Sequence, residues 1–180
     1  FELAKNRIVW LTVLMISSMI TGSILTYYEA AFAALPLLVS FVPMLTGTGG
    51  NAGSQSSTTI IRAMTIGDVE PRDILRIVWK EIRVAVLCGV CLGGANFIKM
   101  MVVDRWLMHN PEVTPLVALV VCLTLMLTVV CAKIVGCTLP MAAEKVGIDP
   151  AVMAAPFITT IVDALSLLIY FAIATHVLGI

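Results

Sequence analysis

The stretch LVALVVCLTLMLTVVCAKIVGCTL, residues 116–139, runs for 24 residues with a single charge, Lys133. A helix needs about 20 mainly apolar residues to cross a bilayer. This stretch is long enough, and a soluble core has no way to cover it on every side. Four more stretches have the same character. Residues 8–28 are uncharged. Residues 30–61 are also uncharged, but the run is long and is interrupted by Pro36, Pro43 and a glycine cluster. Residues 84–101 carry Lys99 near their end, and residues 151–178 carry Asp163 at mid-span. The predicted fold is therefore an all-α membrane protein with five transmembrane helices. Its second helix is expected to be broken by the Gly-rich segment, and residues 1–180 form one transmembrane domain.

Composition agrees. Apolar residues make up 60% of the chain and charged residues 12%, with a mean hydropathy of +1.05. Soluble domains carry about 25% charged residues. The net charge is zero, so the chain has no basic footprint for nucleic acid. Five cysteines lie in apolar stretches. Cys88 and Cys91 form a CxxC without a second pair or a nearby His, and all five read as packing residues. The chain opens on Phe1-Glu2-Leu3, which suggests a piece of something longer.

Charge sets the expected orientation. Lys5, Arg7, Arg62, Arg72, Arg76, Lys80, Arg83 and Lys145 fall on one side, eight in all, against Lys99 and Arg105 on the other. The positive-inside rule puts the N-terminus in the cytoplasm and the C-terminus outside. Residues 73–83 are expected to form an amphipathic helix at the interface, with Ile74, Ile77 and Val78 facing lipid or protein. Trp10, Tyr27, Tyr28, Trp79 and Trp106 sit near span ends, where aromatic anchors belong.

Two ionisable groups lie deep in spans, and each costs about 2.5–3.5 kcal/mol at a helix centre. Lys133 is six residues from Leu139. Its long stem can snorkel to the cytoplasmic surface. The other readings are a pore-lining role or pairing with Asp163, and a depth difference of roughly 9 Å argues against the pairing. Asp163 is too short to snorkel. Thr159, Thr160, Ser166 and Tyr170 stand four and three residues before it and three and seven after it, which predicts one polar helix face. Such a face suggests a water-filled lumen or cation path; the alternative is a neutral Asp163 bonded to a neighbouring helix. The glycine-rich run over residues 43–59 reads as close helix packing, pore lining or both. A phosphate cradle is disfavoured because the G-x-x-x-x-G-K spacing is missing.

The run Gly47-Thr48-Gly49-Gly50-Asn51-Ala52-Gly53-Ser54-Gln55 resembles the G-x-G-G-N-x-G-x-Q signature of the MgtE family of magnesium channels. Gly147-Ile148-Asp149-Pro150, followed by Pro156 through Asp163, resembles the start and middle of that family's fifth helix. The resemblance implies a homodimer with its pore on the two-fold axis, in the cell inner membrane. It also implies cytoplasmic Mg²⁺-sensing domains before the first helix, expected to lie outside residues 1–180. By motif position Asp163 is the carboxylate that holds the hydrated Mg²⁺. The backbone near Thr159, with Gly47, Gly50 and Ser54, forms the surrounding wall, and Ser54 stands where Asn is often found. Asn51, Thr160 and Ser166 are further candidates for the lining or the groups behind it. Asp149 is the candidate for a cytoplasmic regulatory metal. The implied activity is passage of Mg²⁺, with other divalent cations left open. The alternatives are an Na⁺- or H⁺-coupled carrier, an intramembrane metal-dependent enzyme and a non-conducting dimerisation module; an enzyme is not expected.

Overall fold

A computed structural model describes the backbone of residues 2–150 and 155–179. The predicted start of the fifth span at Ala151 lies outside the described residues, as do the side chains of Lys5, Arg7 and Trp10. The described chain is all helix: α1 (Glu2–Tyr27), α2 (Glu29–Ala34), α3 (Leu37–Thr65), α4 (Ile74–Lys99), α5 (Pro115–Lys145) and α6 (Ala155–Leu178). A 3₁₀ turn at Pro71–Asp73 precedes α4, and a π-helix at Met100–Leu107 extends it. Five of these helices are long. The segments Pro71–Leu107, Pro115–Lys145 and Pro156–Leu178 are long and apolar enough to cross a membrane, and α1 adds the apolar piece Leu11–Tyr27. Helix α3 has 29 residues but is polar along one side.

The most apolar sequence forms the centre of the bundle. Helix α5 packs against α3, α4 and α6, whereas α1 leans mainly on α6. Its start is well specified. Pro115 occupies the first turn, where a missing N–H costs nothing. The Thr114 hydroxyl accepts a hydrogen bond from the Val117 amide at 3.2 Å. One core cluster joins Leu38 and Leu45 of α3, Val117 and Val121 of α5, and Tyr170 and Phe171 of α6. Tyr170 is fully buried and donates its hydroxyl proton to the Leu38 carbonyl at 3.0 Å.

Two sequence expectations are corrected. The glycine cluster does not break the second span: α3 runs without interruption from Leu37 to Thr65, and the chain breaks at Pro36 instead. In a bilayer every exposed backbone group needs a partner, so an unbroken helix is the cheaper state even with glycines in it. The glycines act through packing. A Cβ on Gly49 would lie 2.6 Å from Thr128 Cγ2, and one on Gly53 2.9 Å from Ile158 Cγ2. A Cβ on Gly136 would collide with the Gly53 carbonyl. The second correction concerns residues 73–83. Residues 74–83 are helical as expected, but they are the first turns of α4, which continues without a break through the third span to Lys99. Ile74, Ile77 and Val78 pack on a buried cluster of Ile60, Cys137 and Met141 and so face protein.

Candidate functional site

Helix α3 has two unlike sides. Leu38, Leu45, Gly49, Gly53, Ser56 and Ile60 are buried against the bundle. The other side carries Ser40, Gly47, Asn51, Ser54 and Thr58 at steps of seven, four, three and four residues, which is one stripe at 3.6 residues per turn. Four of these residues are exposed on the surface of the helix bundle and Ser54 is half-buried. Asn51, Ser54, Gln55, Thr58 and Thr59 line an open groove there.

Asp163 lies beside this stripe. A Cβ on Gly50 would stand 3.0 Å from Thr159 Cγ2 and 3.9 Å from Asp163 Oδ1, so the glycine lets this turn of α6 lie close against α3. Asp163 is half-buried, and its carboxylate has no ion-pair partner among the described residues. The Thr159 hydroxyl donates to the Pro156 carbonyl at 2.9 Å, which leaves its oxygen lone pairs as acceptors. The structure therefore brings Gly50, Thr159 and Asp163 together, with Gly47, Asn51 and Ser54 on the adjoining surface.

The single polar stripe expected on α6 divides in two. Thr160 lines an apolar crevice with Ser17 and Ile20 of α1. Ser166 is buried, donates to the Val162 carbonyl at 2.6 Å and stands behind Gly49. Residues three before and three after Asp163 fall on opposite flanks of the helix, about 60° to either side. Tyr170 is absorbed into the core. Asp149 is exposed in the turn between α5 and α6.

Lys133 does not snorkel, line the groove or meet Asp163. It is buried, and its Nζ lies 3.2 Å from Ser56 Oγ and 3.4 Å from Glu81 Oε2. Ser56 in turn donates to the same Glu81 oxygen at 2.6 Å. Ser56 is nine residues from Gly47. That is about two and a half turns, which puts it on the opposite side of α3 from the stripe. The cluster thus ties α3, α4 and α5 together from behind. Glu81 falls within residues 73–83, where the sequence predicts an amphipathic interfacial helix, so it does not stand out as a partner; the usable signal is that a buried lysine needs a carboxylate at its own depth. Breaking such a pair costs about 3–5 kcal/mol, while removing both charges is often nearly neutral. We expect Lys133→Met to lower the unfolding temperature in detergent steeply, and Glu81→Gln added to it to restore most of the loss. A single variant as stable as the parent would show that the cluster contributes little.

Residues 42–173, which include the α3 stripe from Gly47 onward and Asp163, match the MgtE family, described as divalent cation transporter. This chain belongs to the MgtE family. The magnesium transporter MgtE of Thermus thermophilus is 39% identical over 168 residues, covering 93% of this chain and 35% of that protein. The magnesium transporter MgtE of Bacillus subtilis is 35% identical over 172 residues, covering 96% of this chain and 36% of that protein. The Enterococcus faecalis protein of the same name is 34% identical, with the same coverage. The chain thus spans about a third of the length of these MgtE relatives. The MgtE family and all three relatives are described as transporters.

Proposed function

We propose that this chain forms the membrane path of a Mg²⁺ transporter, in which hydrated ions pass along the α3 stripe and are held at Asp163. One observation carries the reading: a polar, glycine-rich face of a membrane helix points out of the subunit, beside a half-buried carboxylate. Lipid cannot satisfy such a face. Water can, inside a channel closed by a second copy of the chain. Across a two-fold axis, two Asp163 side chains would place −2 opposite +2.

The chemistry suits Mg²⁺, which gives up water reluctantly and is best held through its hydration shell. Thr159, Asn51 and Ser54 supply acceptors for the protons of those waters. The positive-inside count puts the N-terminus in the cytoplasm. An inside-negative potential then drives entry with about 4.6 kcal/mol per 100 mV for a divalent ion.

Mg²⁺ uptake into proteoliposomes under an imposed inside-negative potential tests this. Flux should scale with the potential, and Asn51→Leu should cut it more than about tenfold, because an apolar side chain displaces the water in the groove. Uptake that requires a Na⁺ or pH gradient would identify a coupled carrier. No uptake under any gradient would leave only a dimerisation module.

A further inference from the structure

Ser40 starts the α3 stripe and also lines a cavity of about 870 Å³, at the end of the helix away from the positively charged connection. Asn96 and Lys99 of α4, Asp104 of the π-helix and His109 share the wall. Three features of this cavity bear on what it can hold.

The first is the π-helix over Met100–Leu107. In an α-helix, residues five apart point about 140° away from each other. The π-helical i→i+5 spacing instead stacks Asp104 on Lys99, whose Nζ lies 2.8 and 2.7 Å from the two carboxylate oxygens. The second is the exposure of that pair. The Lys99 side chain is 54% exposed and that of Asp104 14%, so the carboxylate is held in place while the ammonium can swing out. The third is the set of acceptors around it. Asn96 directs its amide N–H groups toward the sulfurs of Met100 and Cys122, which leaves its carbonyl oxygen available. His109 adopts a left-handed backbone with φ of +53°. Its Nδ1 sits 3.1 Å from the Leu107 carbonyl, an arrangement that puts the proton on Nδ1 and the lone pair on Nε2.

We infer that this cavity is an outer entry site for a hydrated divalent cation, with the Lys99 ammonium as the resident cation that the ion displaces from Asp104. The inference rests on the reading of the α3 stripe as the ion path, since Ser40 is where cavity and stripe meet. A dication with its water shell can hydrogen-bond through those waters to Asp104, to the Asn96 carbonyl and to His109 Nε2. It competes for Asp104 with twice the charge of the tethered ammonium. A monovalent ion has no such advantage, so the pair screens ions by charge before they reach Asp163.

The test is the dependence of proteoliposome flux on external Mg²⁺. Lys99→Met should lower the half-saturating concentration about tenfold and let Na⁺ compete. Asp104→Asn should raise it by a similar factor, and both variants should keep maximal flux within about twofold, because Asp163 is untouched. A gain of affinity in Lys99→Met is not something a misfolded protein produces. Half-saturation unchanged in both variants would overturn the inference. To separate it from the path reading, Mn²⁺ binding is measured by electron paramagnetic resonance in detergent on the Asp163→Asn background. Binding that is tightened by Lys99→Met and lost in Asp104→Asn supports the entry site even if Asp163 proves irrelevant to flux; binding indifferent to both substitutions counts against it.

Discussion

Asp163→Asn abolishes potential-driven Mg²⁺ uptake while leaving the unfolding temperature nearly unchanged. Asn keeps the size and polarity of the side chain and removes its charge. Asp163 is half-buried between the Gly50 turn of α3 and Thr159, so an amide fits the same space. A lower bound on the electrostatic effect follows from Coulomb's law with the dielectric of bulk water. At about 5 Å, one carboxylate attracts a dication by about 1.7 kcal/mol, and two give over 3 kcal/mol, a factor of about 250 in occupancy. Inside a protein wall the screening is weaker and the loss larger. Proteoliposome flux at matched protein incorporation is the measurement. Uptake equal to that of the parent protein would place the ion site elsewhere, even though the family assignment would stand.

Gly136→Ala has the other large effect, and it acts on the fold. A Cβ at this position would meet the carbonyl and Cα of Gly53. These are backbone atoms, so no rotamer change relieves the clash and α3 must move away from α5. Overpacking a tight contact costs about 1–3 kcal/mol and occasionally more; here the upper end is expected. The displacement would also carry Gly50, three residues along the same helix from Gly53, away from Thr159 and Asp163, so flux should fall with stability. Gly94→Ala is the control. Nothing lies within 4 Å of its added Cβ, and alanine is the better helix former by about 1 kcal/mol. Thermal unfolding in detergent should rank Gly94→Ala at or above the parent and Gly136→Ala well below it. Equal stabilities would refute the close α3–α5 contact.

The residues that went astray in the sequence share a cause. Each belongs to a contact with another helix. The glycines of α3 read as a break because glycine weakens an isolated helix, yet Gly49 and Gly53 are what let α5 and α6 press close enough to hold that helix together. Lys133 read as a snorkelling side chain because its partner lies 52 residues away, on a segment that looked like a surface connection. Thr160 and Ser166 read as neighbours of Asp163 from spacing alone, and they separate because α1 claims one flank of α6 while α3 and α5 claim the other.

Some properties follow from local chemistry and needed no coordinates. Long apolar runs cannot be hidden from water in a chain of this size, so helical spans in a membrane were determined by the sequence. The ion-site candidate was too, because a short carboxylate at mid-span has no inexpensive way out. Tertiary structure alone decided which face each helix shows. It turned the Ser40–Thr58 stripe outward, put Gly50 against Asp163 and closed Ser56, Glu81 and Lys133 into a buried cluster. A helical period says which residues share a side; only packing against the other helices says where that side points.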